Sequence, residues 1–402
     1  MNVAMCIPTY KRASVVDEIL EHAIDGYTKM GIDLYFYDGS PDDETKQVVE
    51  KYVEKGYTNI KYMKFPPEVK RGALMLTGEG FEKQYDYIWP VKDRTWFGES
   101  TLIAIEKAME EEFDVVFLGT FRDYSNLGLG TKTYENMKEF YLNWGFLATS
   151  IDVTIYKRTS MLENITYDGY IKDYVPSSFS HYKFLFTHLI QGKKKVRVLS
   201  EDEIVGFSSQ QVKSNWKKDV FSVWKDKWIE VNETLPEYYN EYKSQVIKQA
   251  GMLPWILGSV DALIGYKECG ALVPEKLDGI LKDWEKVSDI PKEKLVAIAN
   301  GCYDIKHDID LVPKNIDEFL NLLIRISELV REGKFSRQQI PYDEIFQCVM
   351  EKIMKKYGNY DFINVISGTV EDLLLFIRDK AETMEEINRA FQTLITITIA
   401  AL

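Results

Sequence analysis

"FYDGSPDDET", Phe36 to Thr45, ends a run of apolar and aromatic residues that starts at Ile32, and breaks it with an acid, a glycine and a serine. Asp, Gly and Ser are turn formers, so the stretch alone reads equally as a strand-ending turn and as a strand delivering Asp38 to a site. Its neighbours decide between the two. Before it, "NVAMCIP" forms a strand, and Val16, Ile19, Leu20, Ala23, Ile24 and Tyr27 recur at helical spacing behind Ser14, which caps the helix with Asp17 in its first turn. "IDLYFYD" is then the second strand, "DETKQVVEKYVEKG" the second helix, "NIKYMKF" the third strand, and Ala73 to Gln84 a further helix. "YDYIWPV", "STLIAIEKAMEEE" and "DVVFLG" continue as strand, helix and strand. This alternation predicts an α/β domain with a mostly parallel sheet flanked by helices, in which functional groups gather where strands end.

From Thr131 the pattern loosens. "IDVTIYKR" predicts a strand, "FSHYKFLFTHLIQG" an amphipathic helix ending at Gly192, and "KKKVRVLS" a return to the sheet. Beyond Ser214 only helical periodicity remains, in "LPEYYNEYKSQVIKQAG", "PEKLDGILKDWEKV", "NIDEFLNLLIRISELVREG", "YDEIFQCVMEKIMKKYG" and "VEDLLLFIRDKAETMEEINRAFQTLI". At 402 residues the chain exceeds the usual size of a single core. We therefore expect an α/β domain over 1–213 and an all-α domain over 214–402 that serves acceptor binding or assembly.

Charge narrows the partners. A net charge of −13 argues against a nucleic-acid footprint and leaves room only for a local basic pocket. The four cysteines carry no paired or metal-type spacing, which indicates reduced thiols and a cytoplasmic protein. No window is apolar for long enough to span a bilayer, and the closing "LITITIAAL" fits a packed helix end or a subunit contact. A peripheral contact with the inner face of the membrane and self-association both stay open.

The chemistry concentrates at strand ends. "CIPTYKR", Cys6 to Arg12, leaves the first strand with a basic pair; "YDGSPDDET" leaves the second; "KRGALM", Lys70 to Met75, precedes the fourth; and "YDYIWPVKDRTWF", Tyr85 to Phe97, sets Asp93 between Lys92 and Arg94. In this order and at these spacings they resemble the family 2 glycosyltransferases of the Rossmann-like GT-A fold, whose corresponding stretches read "IPTYNR", "VVDDGSTDDT", "NRGxxxARNxG" and "DYIxFLDDDD". The resemblance covers roughly the first hundred residues and implies an inverting transferase that moves a hexose or N-acetylhexosamine from a nucleotide-diphosphate sugar, most often UDP-linked. It implies that Pro8, Thr9, Tyr10 and Arg12 cradle base and ribose, that Asp38, Gly39 and Ser40 receive the nucleotide, and that Arg71 lies near base or phosphates. Asp93 stands where the family's acid cluster holds Mn2+ or Mg2+ on the donor diphosphate, as hard cations prefer carboxylate oxygens. Here the cluster is reduced to one Asp, while Lys92 and Arg94 suit phosphate oxygens themselves. Metal binding is thus expected to be weak or dispensable.

Inversion needs a base for the acceptor hydroxyl. The family's acidic pair falls, counting back from Gly192, on Ser180 and His181; His181 can act as base through its near-neutral pKa, and Asp173 is the nearest upstream carboxylate. A histidine packed in its helix is the plainer reading of His181. Trp96 and Trp144 are the candidates for stacking on an acceptor sugar, while Trp89 and the tract Lys193 to Lys195 read as core and as a solvated turn. The acceptor is a glycan, a glycoprotein or a lipid-linked glycan of the kind met in bacterial surface-glycan and adhesin glycosylation. The reading from another class is a non-catalytic scaffold that lost its acid cluster and uses the helices as an interface.

Overall fold

A computed structural model describes residues 2–66, 69, 84–119, 131–162, 165–199, 205–207, 215–253 and 256–301, with 324, 342, 345–346, 350 and parts of 370–394 beyond them. Two compact units emerge, one of 1–215 with 222–249 and the other of 216–221 with 250–402.

The first unit is built on an eight-stranded sheet in the order β3-β2-β1-β4-β8-β6-β9-β7. β1 (Val3–Thr9) is buried along its whole length and pairs in parallel with β2 (Ile32–Asp38) on one side and β4 (Tyr87–Pro90) on the other. A strand flanked on both edges and covered on both faces must be apolar throughout, as "VAMCIPT" nearly is. β3 (Ile60–Lys64) extends the sheet beyond β2 in parallel. The other half contains β6 (Val115–Leu118), β7 (Lys132–Tyr134), β8 (Thr154–Lys157) and β9 (Val196–Leu199). β8 runs antiparallel to both β4 and β6, so β6 shares the direction of β1 to β4. β9 is parallel to β6, and β7 closes the edge antiparallel to β9. A second, two-stranded sheet pairs β5 (Thr95–Phe97) with β10 (Val205–Phe207).

Helix α1 (Ala13–Lys29) buries the predicted stripe of Val16, Ile19, Leu20, Ala23, Ile24 and Tyr27, with Val15 added. It starts two residues earlier than the Ser14 cap predicts: the cap is Arg12, whose carbonyl accepts from Val16 N at 3.0 Å, and Asp17 pairs with Lys51 at 2.7 Å. α2 (Glu44–Glu54) and α3 (Glu99–Glu110) follow their strands as expected, whereas the helix expected over Ala73 to Gln84 lies outside the described residues except for Gln84. α4 (Met137–Trp144), α5 (Tyr167–Asp173) and α6 (Ser180–His188) belong to the irregular second half. α6 ends at His188 rather than at Gly192, which takes φ +81° in the turn leading to β9. In that turn Lys194 donates to Ser160 O at 2.6 Å and Lys195 pairs with Glu135 at 3.1 Å.

Two further helices, α7 (Trp228–Glu233) and α8 (Asn240–Lys248), pack in this unit. The buried Asn232 of α7 draws them in, accepting from the hydroxyls of Tyr141 at 2.7 Å and Tyr182 at 2.6 Å. A buried amide with two hydroxyl partners costs little, while stranding it would cost the full desolvation of the group.

In the second unit, α9 (Val260–Glu268) is capped by Ser259, whose hydroxyl accepts from Ala262 N at 3.1 Å. The helix expected over Pro274 to Val287 is broken, because Asp283 turns the chain at φ +56° ahead of the buried Trp284. α10 (Lys292–Ala299) follows. The helices expected over 315–333 and 342–358 lie almost entirely outside the described residues. Among the described residues no helix is long and apolar enough to cross a membrane.

Candidate functional site

The strand order reverses beside β1: the chain builds outward through β2 and β3, then returns to place β4 on the opposite edge. A crevice opens at such a reversal, outside the carboxyl ends, because the two connections leave in opposite directions. The loops after β1, β2 and β4 all end here.

The first two loops are sewn together. Gly39 N donates to Thr9 O at 3.1 Å, Lys11 N donates to the Ser40 hydroxyl at 2.7 Å, and Ser40 N donates to Asp38 Oδ1 at 2.8 Å. Lys11 adopts φ +52°, a left-handed conformation that costs a non-glycine residue about 1 kcal/mol and that the Ser40 bond helps hold. Asp38 itself is fully buried; its other oxygen accepts from the Tyr62 hydroxyl at 2.9 Å and lies 3.8 Å from Lys64. Burial, reinforced by that bond to Asp38, pushes the Tyr62 phenol well above its ordinary range, so it stays a donor. Asp38 thus anchors three strand ends at once.

Across the reversal, Arg12 reaches from the β1 loop to Asp93 in the β4 loop, Nη1 to Oδ1 at 2.6 Å. Asp93 is 2% exposed and Arg12 29%, so the pair is desolvated on the acid's side and wet on the guanidinium's. Lys92 turns away to Asp152, with Nζ 3.0 Å from Oδ2, and also donates to the Ser150 hydroxyl at 2.7 Å. Each buried acid of this edge, Asp38, Asp93 and Asp152, therefore has its own cation. Lys11 and Arg94 remain, both exposed and without an ion-pair partner among the described residues. Half-exposed Tyr10 stands beside Lys11, whose Nζ lies 5.6 Å from its ring centre. Pro8 and Thr9 end β1 as buried residues, and the Thr9 hydroxyl has no hydrogen-bond partner among the described residues. The edge is thus a locally cationic patch with an aromatic face, on a chain whose overall charge is negative.

Other residues named from the sequence fall elsewhere. Arg71 lies outside the described residues. Trp96 stacks on His22 of α1, ring centres 4.8 Å apart. Trp144 is 1% exposed, donates to the Tyr134 hydroxyl at 3.0 Å and packs on Phe117; this is a core position, and its enclosed indole corrects the expectation of a sugar platform. His181 is 4% exposed, and its Nε2 donates to Thr149 O at 2.9 Å, since a carbonyl can only accept. Asp173, at the end of α5, is exposed. Asp152 went unnoticed: the only signal was an acid directly ahead of an apolar run, which the strand reading of "IDVTIYKR" absorbed.

Residues 5–168 match the family described as Glycosyl transferase family 2. The chain carries a family 2 glycosyltransferase domain. That domain spans the sheet from β1 to β8 and the whole cationic edge. None of the curated proteins matches this chain in sequence. Among solved structures, TarS of S. aureus in complex with UDP-GlcNAc is 13% identical, with 100% of this chain and 91% of that chain covered at a TM-score of 0.44. The mannosyltransferase PcManGT from Pyrobaculum calidifontis, in complex with GDP-Man and Mn2+, is 13% identical, with 75% and 86% covered at a TM-score of 0.43.

Glycosyltransferases of this family generally use a divalent cation, which the protein must hold through oxygen ligands. The residues at the Asp93 position fit one poorly. Asp93 is buried and already neutralised by Arg12, and no cluster of three or more His, Cys, Asp or Glu ligands occurs among the described residues.

Proposed function

We propose that this glycosyltransferase moves a hexose or N-acetylhexosamine, with inversion, from a UDP-linked donor to a glycan, glycoprotein or lipid-linked acceptor. The observation that carries the donor side is a pair of exposed cations without an ion-pair partner among the described residues: Lys11, beside exposed Tyr10 after β1, and Arg94 in the loop after β4. A nucleoside diphosphate needs an aromatic or apolar surface for its base and fixed positive charge for its phosphates. As the glycosidic bond breaks, the leaving diphosphate gains charge, and cations held ready at that point stabilise the transition state more than the ground state. Where a divalent ion binds, it supplies the same charge stabilisation; the steps assigned here belong to the side chains. Arg12 and Asp93 tie the two loops across the crevice, and Arg94 takes the phosphates.

The acceptor hydroxyl must lose a proton as it attacks the anomeric carbon on the face opposite the leaving group. Of the two candidates, Asp173 presents a carboxylate to solvent, whereas the ring of His181 is enclosed and engaged with Thr149. Access favours Asp173. Asp173→Asn is expected to lower kcat by about 10²-fold or more with donor KM little changed, read from transfer or donor-hydrolysis rates.

One observation favours a non-catalytic scaffold: the lone acid of the β4 loop is neutralised, and Ser180 and His181, in the slot of the family's acidic pair, are buried. Hydrolysis of a panel of nucleotide sugars, with and without manganese, separates the readings. Turnover of at least one donor supports the transferase. Binding of UDP without turnover of any donor supports the scaffold.

A further inference from the structure

Asp152 lies outside every motif that carries the family resemblance, yet its carboxylate meets the β4 loop at Lys92 and, just beyond it, Thr95. It sits on the turn that enters β8, and because β8 runs antiparallel to β4, this amino end lies beside the carboxyl end of β4. The carboxylate is fully buried. Oδ1 accepts the backbone N–H of Lys92, while Oδ2 pairs with the Lys92 ammonium at 3.0 Å and accepts from the Thr95 hydroxyl at 3.3 Å. The Asp152 carbonyl accepts from the indole N–H of Trp89 at 2.8 Å. These contacts fall on both sides of Asp93 and Arg94, the two residues the donor reading needs. The same short segment, through Thr149 O, holds His181 at 2.9 Å.

We propose that Asp152 is a positioning residue for sugar transfer: its charge holds the Lys92 end of the loop, so that Asp93 meets Arg12 and Arg94 is presented at the strand reversal. The inference rests on the donor site assigned above. The loop is four residues between β4 and β5; Val91 N donates to Cys6 O at 2.9 Å at its start and Thr95 N closes it as a turn onto Lys92 O at 3.2 Å, so the turn itself is tied to the rest of the sheet through the side chains of Lys92 and Asp93. A buried carboxylate that takes both the amide and the ammonium of one residue supplies that restraint. A loop displaced by an ångström places its cations wrongly for the diphosphate.

The test is Asp152→Asn. Asn keeps an oxygen for the Lys92 amide and so preserves packing, but it loses the charge that holds the ammonium. Amide hydrogen exchange over Lys92 to Phe97, UDP affinity by calorimetry and steady-state hydrolysis of nucleotide sugars are compared with the wild type. The expected result is a folded protein with faster exchange confined to that loop, weaker UDP binding, and kcat/KM lowered by about 10²-fold. Wild-type exchange in the loop together with wild-type turnover overturns the proposal. So does an exchange increase spread over the whole sheet, which would mark an ordinary structural acid. If Asp152→Asn does not fold, Lys92→Met with Asp152→Asn strands no charge and is read by the same measurements. A wild type that hydrolyses no donor defeats the transferase reading instead, while exchange still decides whether Asp152 holds the loop.

Discussion

Arg12→Met isolates the ion pair that spans the crevice. It preserves the length and much of the apolar stem of Arg12 but leaves Asp93, 2% exposed, without its cation. Two unit charges about 4 Å apart at an effective dielectric near 20 attract by about 4 kcal/mol. Breaking a buried pair by removing one partner costs about 3–5 kcal/mol. Because Arg12 is itself 29% exposed, water screens part of this and the lower end applies, about 3 kcal/mol. For a unit of this size that is a fall in Tm of about 6–12 °C. Adding Asp93→Leu removes the stranded acid and should recover most of the lost stability, since apolar replacements of buried pairs are often neutral. Donor hydrolysis should not recover, because both charges that join the loops are then gone. Scanning calorimetry on wild type, the single and the double variant, paired with hydrolysis rates, reads both effects. A single variant melting within 1 °C or so of wild type would refute the claim that Arg12 holds Asp93; full activity in the double variant would refute its place in the donor site.

Arg94→Ala should weaken UDP binding about tenfold, near 1.4 kcal/mol, and the difference should shrink as salt is raised, because an exposed cation is screened; isothermal titration at two ionic strengths checks it. His188, buried beside Tyr174 with Nε2 2.9 Å from the hydroxyl, has its pKa lowered chiefly by burial, with Lys194 adding repulsion. The unfolded chain takes up that proton below about pH 6.5 while the folded ring resists it, so this contribution to stability is present above that pH and is lost as pH falls. Tm measured from pH 7 to pH 5 should fall less steeply in His188→Gln than in wild type. In the second unit, Gly251 leaves no room for a side chain: an added Cβ would lie 2.0 Å from Val287 O. Gly251→Ala should destabilise by about 2–3 kcal/mol, as overpacking against backbone does, visible as an earlier unfolding transition by calorimetry.

The sequence alone determined β1, β2, β3 and their helices nearly to the residue, because each is a short apolar run bounded by turn formers and each helix shows one apolar face. It also determined that Tyr10, Arg12, Asp38 and Asp93 share an edge, since parallel strands deliver their last residues to the same side. It could not say which charge meets which. Lys92 and Arg94 flank Asp93 in the chain, yet the partner of Asp93 is Arg12, 81 positions away, and Lys92 belongs to Asp152. Nor could it show which core the helices of 228–248 join, because an amphipathic face records that a partner exists without naming it. Only the tertiary structure decided that β8 runs against its neighbours, and this reversal carries Asp152 to the edge where the parallel strands end. Strand direction is set by pairing across the sheet, which no local pattern encodes, and the acid that organises the loop was therefore visible only once the sheet was assembled.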